Sequence, residues 1–380
     1  VIQAAYLHIP FCTHICHYCD FNKVFLKGQP VAEYLQAMEQ EMKRTVAQFP
    51  AERVQTIFIG GGTPTALDIR QLDFLLENIH RYLPCTVDKV EFTVEANPNE
   101  LSREKLQCLK DAGVNRLSIG VQTFNDTLLR RIGRTHQTRD VWQAVETAKA
   151  VGFTNISIDL IYGLPGQTLE QLQKDLAVAF SLDVPHISAY SLIIEPKTVF
   201  YNLMRKGKLS LPSQDEEAEM YEETMKQMQQ HGYVQYELSN YARSGFESQH
   251  NLTYWNNEYY YGIGAGAHSY MNGIRNVNIG PVKKYIELIE KGQLPYVERH
   301  EVNERERMEE EMFLGLRKIE GVSKQRFYEK FHRSLNDVFG DVIAKEKANG
   351  LLEETETHVR LTHRGKLLGN VVFEAFLHVS

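Results

Sequence analysis

Cys12, Cys16 and Cys19 all fall inside the stretch PFCTHICHYCDF (Pro10–Phe21), so three of the five cysteines of a 380-residue chain lie within eight positions, beside His14 and His17. Such crowding is too tight for a disulfide framework, and thiols placed this way bind a metal or do redox chemistry. A structural zinc ion takes four protein ligands, often as two separated pairs. No second cysteine pair is present, although His14 or His17 would complete a zinc site. A 4Fe–4S cluster needs one thiolate per iron. Three cysteines therefore leave one iron open to a substrate or cofactor, and a loop on a strand end favours that chemical use over a structural one. Cys85 and Cys108 stand alone and read as small buried residues rather than ligands.

The surrounding pattern supplies the scaffold. AAYLHI (Ala4–Ile9) reads as a strand that delivers the cysteine loop at its C-terminal end. Between Val31 and Phe49, Tyr34, Leu35, Met38, Met42 and Val46 recur near i, i+4 and predict a helix. VQTIFI (Val54–Ile59) is a second strand ending in GGGTPT, followed by a helix around Arg70–Leu83 and a third strand in KVEFTVEANP (Lys89–Pro98). RLSIGVQTF, NISIDLIYGLPG and HISAYSLI continue the alternation, giving about six β/α units. Apolar strands alternating with helices indicate an α/β fold with a parallel sheet covered by helices, either an open sheet or a closed or partly closed barrel. Both architectures bind ligands at the C-terminal strand ends. Cys12–Cys19, Gly60–Thr65, Glu95–Asn97, Gln122 and Asp159 all fall at such ends and are expected to surround one cavity.

Beyond about Tyr201 the texture changes. A polar amphipathic helix (SQDEEAEMYEETMKQMQQHGY) and the strand-like VQYELSNYA precede an aromatic, glycine-rich segment, His250–Tyr270. From Val302, helical patterns lead to GLLEETETHVRLTHRG, which resembles a hairpin, and a last helix. This predicts a small winged-helix-like appendage. The run EVNERERMEEEM reads as a solvated helix face. The divisions expected are 1–235, 236–300 and 301–380.

A net charge of −7 argues against broad electrostatic binding to nucleic acid or anionic membranes. No apolar run approaches the roughly 20 residues of a membrane span, and the order of a secretory signal is missing. A cytoplasmic location is the expectation.

The C-x3-C-x2-C spacing with Tyr18 before the last cysteine, placed after the first strand and followed by GGGTP after the second, resembles the radical S-adenosylmethionine (radical SAM) superfamily. In that superfamily, SAM chelates the open iron. The glycines of IGGGTPT would then let backbone approach the methionine end of SAM, with N–H groups free to hold its carboxylate. A tight strand–helix turn explains the same glycines. Glu95 would pair with the SAM ammonium, or cap the next helix. Gln122, Arg134 and Asp159 suit ribose hydroxyls or a carboxylate.

YLHIPFC, GGGTPT, EANP, GVQTF, IGRTH and DLIYGLPGQT together resemble the oxygen-independent coproporphyrinogen III dehydrogenase (HemN-like) family over essentially the whole chain. That resemblance implies a partial (β/α)6, TIM-like barrel with a C-terminal helical domain. It implies cluster ligation by Cys12, Cys16 and Cys19, and SAM contacts from Tyr6, Gly61 and Glu95. Tyr18, Gly62, Thr63, Gln122, Arg134, Asp159 and Ile193 match a second SAM site of the dehydrogenase; some of them would serve the first SAM instead. Two departures point to the heme-carrying branch of the family. Phe21 stands where the dehydrogenase has a further cysteine, and the chain begins only five residues before Tyr6, where the dehydrogenase has an extension. That branch also carries H-N-x-x-Y-W, here His250-Asn251-Leu252-Thr253-Tyr254-Trp255. An imidazole ligates iron, and Tyr254 and Trp255 offer flat apolar surface to a porphyrin; the alternative is a buried histidine packed among core aromatics. His268 is a second candidate. The expected function is a heme chaperone that binds a 4Fe–4S cluster, SAM and heme. It would pass the heme to an acceptor such as a respiratory heme protein, peripherally at the membrane during delivery. The rivals are radical decarboxylation of coproporphyrinogen III and, more weakly, radical SAM modification of RNA.

Overall fold

The computed structural model describes residues 1–378. Six strands, β1 (Ile2–Ile9), β2 (Thr56–Gly61), β3 (Glu91–Ala96), β4 (Arg116–Gln122), β5 (Asn155–Tyr162) and β6 (His186–Ser191), pair in parallel in that order. Their connections carry α1 (Val31–Gln48), α2 (Ile69–Tyr82), α3 (Arg103–Asp111), α4 (Asp126–Arg131), α5 (Thr138–Val151) and α6 (Leu169–Ser181). Start signals are local: Asp68 with Gln71 and Thr168 with Gln171 form reciprocal capping boxes on α2 and α6. The strands bury Ile57, Ile59, Phe92, Val94, Leu117, Ile119, Ile156 and Ile158, and the helices bury alternate-turn Leu, Met and Ala against them. The opposite faces of the same strands carry Thr93, Glu95, Arg116, Ser118, Ser157 and Asp159. A sheet that is apolar on one face and polar on the other encloses a hydrophilic interior.

The sheet does not end with these six. Past α7 (Val199–Arg205) and α8 (Gln214–Gln230), β7 (Val234–Glu237) and β8 (Asn240–Ala242) extend it antiparallel beyond β6. After α9 (Gln249–Trp255), β9 (Tyr259–Ile263) pairs parallel with the free side of β1. Then β10 (His268–Met271), β11 (Ile274–Asn278) and, after α10 (Val282–Glu290), β12 (Tyr296–Glu301) follow antiparallel, completing a twelve-stranded sheet. The aromatic, glycine-rich segment thus contributes a seventh parallel strand, which its glycines and lack of clean alternation concealed.

The C-terminal unit packs α11 (Glu304–Gly315), α12 (Lys324–Phe331) and α13 (Leu335–Ala348) with a three-stranded sheet of β13 (Val322–Ser323), β14 (Leu352–Glu354) and β15 (His358–Leu361). α14 (His363–Leu367) and α15 (Gly369–Ala375) close it. Its own core is built on Met312, Phe327, Phe339, Val359 and Phe376. The β14–β15 hairpin sits where expected. Only the first half of the acidic run leading into α11 is solvated: Glu304 and Arg305 are exposed, whereas Glu309 and Glu311 are buried. Glu311 pairs with Lys330 at 2.8 Å and Arg326 at 3.6 Å, and Glu310 pairs with Arg275 at 2.8 Å. Cationic partners from other elements account for Glu310 and Glu311, whereas Glu309 pairs with Arg305 one turn earlier on the same helix at 3.2 Å. Among the described residues no helix is long and apolar enough to cross a membrane.

Glu41 of α1 ties the added strands to the first helix. Its buried carboxyl accepts from the Tyr285 hydroxyl, from Asn278 Nδ2 at 2.6 Å and from the Gly264 N–H at 2.8 Å. Burial pushes its pKa up to about 7 despite these donors. The fold therefore favours the protonated form: this contribution to stability is full below about 4.5 and declines as the pH rises through about 7. Glu41→Ala, which strands three buried donors, is expected to cost about 3 kcal/mol or more. Glu41→Gln should cost less and flatten the pH dependence, as read by denaturant titration between pH 5 and about 9.

Candidate functional site

The cysteine loop leaves β1 and is pinned at both ends. Val24 N–H donates to Pro10 O at 2.8 Å and Leu26 N–H to Cys12 O at 2.9 Å, in a short parallel pairing of Phe11–Cys12 with Val24–Phe25. His17 anchors the middle: its N–H donates to Ile132 O at 3.0 Å, its Nδ1 lies 3.1 Å from Arg131 O, and its ring meets Phe200 edge-on. His17 is thus scaffold, and His14 is an exposed loop residue. Cys12, Cys16 and Cys19 all line one cavity of about 680 Å³. Thr63 Oγ1 lies 3.7 Å from Cys12 Sγ, and Arg134 Nη1 lies 3.6 Å from Cys16 Sγ. Burial pushes the Cys12 thiol up to about 11 and raises that of Cys19 as well, so a metal centre bound here must displace protons. Among the described residues no group of three or more His, Cys, Asp or Glu side chains is drawn together around one ion. Three thiols lining one cavity, with no second cysteine pair in the chain, are a donor set that fits an iron–sulfur cluster with one iron left open.

The glycine run seats the loop. Gly62 N–H donates to Ile9 O at 2.7 Å and Thr63 N–H to Phe11 O at 2.9 Å, while Gly61 N–H donates to Glu95 Oε2 at 3.1 Å. A Cβ on Gly62 would lie 2.9 Å from Phe11 O and 3.0 Å from Cys12 Sγ. On Gly61, whose φ is +115°, it would lie 2.6 Å from the His8 ring. The expectation that these N–H groups stand free to hold a ligand carboxylate is corrected, because three of them already serve the protein's own acceptors. The missing side chains admit the cysteine loop and His8.

Two acids share the interior. Burial first, then the nearby Asp159 carboxylate, pushes Glu95 up to about 8. A cation arriving beside Glu95 would restore its charge. Asp159 is raised by burial while holding the Ser118 hydroxyl at 3.0 and 3.2 Å. Arg134 bridges the strand ends, with Nη2 donating to Gly120 O at 2.5 Å and Asn97 Oδ1 at 3.0 Å. Gln122 ends β4 in the left-handed region at φ 69°, beside a register shift. A non-glycine residue held there stores strain that the surroundings impose, a feature common at ligand sites.

The floor comes from the other end of the strands. Glu91, the first residue of β3, accepts from the N–H groups of Gln249 at 2.9 Å and His250 at 3.0 Å, which places α9 under the barrel. His250 is fully buried, bonded through Nδ1 to Thr56 Oγ1 at 2.8 Å and through Nε2 to the Tyr254 hydroxyl at 2.7 Å, with its ring stacked on Phe58. Burial, then the Arg116 charge, lowers its pKa to about 3, so it is neutral. Thr56 opens β2 and Gly61 closes it, and at about 3.3 Å per residue the floor lies roughly 16 Å below the cysteine loop.

Of the residues singled out in the sequence, Tyr6, Tyr18, Gly61, Gly62, Thr63, Glu95, Gln122, Arg134, Asp159, Ile193, His250 and Tyr254 line the same cavity as the three cysteines. Trp255 does not. It faces the C-terminal unit, where the Arg317 guanidinium lies 4.4 Å above its ring. One residue past Tyr254 on a helix, it points about 100° away. His268 is exposed and does not line the cavity. Cys85 and Cys108 are half-buried rather than buried, and Cys108 Sγ lies 3.1 Å from Asp73 Oδ1. Arg116 and Ser188 line the cavity and were not anticipated. The alternation Arg116, Ser118, Gly120, Gln122 along one strand face carried that signal.

Comparison with known proteins places this geometry. The radical SAM superfamily matches residues 6–179, and the HemN C-terminal domain matches residues 302–368. The chain is 59% identical over 376 residues to a heme chaperone HemW of Bacillus subtilis, covering 99% of both chains. It is 47% identical to the protein of that name in Lactococcus lactis, covering 99% of this chain and 97% of the relative. It is 35% identical to the one in Escherichia coli, covering 98% and 97%. Among solved structures, it resembles the radical SAM enzyme coproporphyrinogen III oxidase (HemN) of Escherichia coli with a TM-score of 0.86 at 25% identity, over 99% of this chain and 90% of that one.

Gly62→Ala tests the seating of the loop. The added Cβ meets backbone, so the variant should lose about 1–3 kcal/mol of stability. It should also retain less iron and sulfide per chain than wild type after anaerobic reconstitution, by direct assay of both elements.

Proposed function

The chain belongs to the HemN-like radical SAM proteins, in the family of heme chaperones named HemW, and from that premise we propose that it binds heme and hands it to an acceptor protein. The observation that carries the reading is the likeness to those chaperones along the whole chain, together with one cavity joining the three thiols to His250 and Tyr254. Cys12, Cys16 and Cys19 would hold a 4Fe–4S cluster, and a bound cluster with SAM supplies an electron donor beside a cleavable sulfonium. Tyr6, Gly61, Glu95, Tyr18, Gly62, Thr63, Gln122, Arg134, Asp159 and Ile193 line the space available to SAM.

Glu95 is the carboxyl placed to meet an ammonium group, and burial keeps it ready to exchange its proton for that cation. Arg134 holds the ends of the third and fourth strands together while touching Cys16. Phe21 and Ile193, respectively 62% and 66% exposed, form apolar lips on the cavity mouth, a surface suited to a flat porphyrin. His250 and Tyr254 remain the candidate heme contacts within the cavity. Ligation of iron by His250 would require its ring to release Thr56 or Tyr254. Trp255 would act on heme only through the position of α9. Location in the cytoplasm and a respiratory acceptor are part of the same proposal, in keeping with five unpaired cysteines.

The test is heme titration of the reconstituted protein, wild type against His250→Ala, followed by incubation with coproporphyrinogen III, SAM and reductant. Wild type should bind heme with a shifted Soret band, and His250→Ala should lose that shift and bind at least roughly tenfold more weakly. No decarboxylated porphyrinogen should form. Product formation would replace the chaperone with the dehydrogenase, and an unchanged spectrum and affinity in His250→Ala would remove that residue as a ligand.

A further inference from the structure

Arg116 opens β4 and stands opposite Thr93 of β3 in the parallel register. It is only 2% exposed, yet it lines the cavity that reaches the cysteines. Its Nε has no hydrogen-bond partner, and neither has Thr93 Oγ1 beside it. Asp159 feels the guanidinium charge but turns both carboxylate oxygens to the Ser118 hydroxyl. The two histidines near Arg116 are bonded elsewhere. His250 is held by Thr56 and Tyr254, and His186 by Ser157 Oγ at 2.6 Å and the Tyr236 hydroxyl at 2.7 Å. Both are kept neutral by burial.

A buried guanidinium with unfilled donors costs stability unless an anion completes it. The planar fork of arginine matches a carboxylate better than any other common anion apart from phosphate. On the chaperone reading, the ligand with carboxylates on flexible arms is the porphyrin. We propose that Arg116 is a carboxylate subsite on the cavity floor that receives a propionate of the bound porphyrin. The subsite fixes which edge of the ring points inward. It uses a residue outside the H-N-x-x-Y-W motif and outside the cysteine loop. The methionine carboxylate of SAM has the same chemistry, so the two sources must be separated by experiment.

The reconstituted wild-type protein, Arg116→Met and Arg116→Lys are titrated with hemin and with hemin dimethyl ester, and separately with SAM. Wild type should favour the diacid over the diester by roughly 10- to 100-fold. Arg116→Met should bind both porphyrins alike, Arg116→Lys should keep part of the preference, and SAM affinity should be unchanged in both. If Arg116→Met fails to fold, the wild-type preference and its reduction in Arg116→Lys decide the matter. Equal binding of diacid and diester by wild type overturns the subsite alone and leaves the chaperone reading standing. A preference that survives in Arg116→Met, or a loss that falls on SAM, overturns the propionate assignment. Failure of wild type to bind either porphyrin overturns both.

Discussion

The cysteine loop can reach across the end of the second strand only because Gly62 there carries no side chain, while Gly61 makes room for His8 and Gly60 for Glu95. The parallel register sets His8 against Gly60 and Ile9 against Gly61, so the chain leaving β1 passes directly over this turn. Gly62 and Thr63 then continue the pairing through Ile9 and Phe11, with Cys12 Sγ within 3.0 Å of the place a Cβ on Gly62 would fill. This contact fixes where the first thiol stands. The other two follow from the pairing of Val24 with Pro10 and from the His17 anchor, so the geometry of the mouth rests on backbone rather than on the metal chemistry it serves.

The interior below has an unusual task for a protein core. It must keep two carboxyls, a guanidinium and two imidazoles out of bulk water without letting them collapse on one another. Hydroxyls do much of the separating: Ser118 holds Asp159, Ser157 and Tyr236 hold His186, and Thr56 and Tyr254 hold His250. Burial keeps both rings neutral, and the hydroxyls fix their orientation. Glu95, satisfied in the protein by one N–H of Gly61, keeps its proton. What remains exposed to an incoming ligand is a layered set of partners, with thiols above, acids in the middle and a cation beneath.

Much of this is legible in the amino-acid sequence. Period and punctuation mark the six parallel strands, and the rule that ligands gather at C-terminal strand ends brings together residues as distant as Cys12 and Asp159, while Tyr6 and Ile193 enter through the family resemblance. The failures share a cause: each needed knowledge of what lies opposite in space. The glycine N–H groups looked free because Ile9, Phe11 and Glu95 lie elsewhere in the chain. The acidic stretch on α11 looked solvated because Lys330, Arg326 and Arg275 lie elsewhere as well. Trp255 is paired with Tyr254 by the H-N-x-x-Y-W motif, whereas a helix sends neighbours to different faces.

That short helix, α9, has two masters. His250 and Tyr254, one turn apart, close the barrel. The residues that follow are gripped from the other side: Arg317 covers Trp255, Lys318 reaches Asn256 Oδ1 at 2.6 Å, and Arg326 and Lys330 reach Asn256 O. Composition alone cannot satisfy both, because the spacing between the two sets is fixed by the pitch of the helix. One residue added between Tyr254 and Trp255 would turn everything after it by about 100° and advance it about 1.5 Å, uncoupling the grip from the plug while preserving every side chain. The segment is therefore intolerant of insertions and deletions in a way that substitution alone would never reveal.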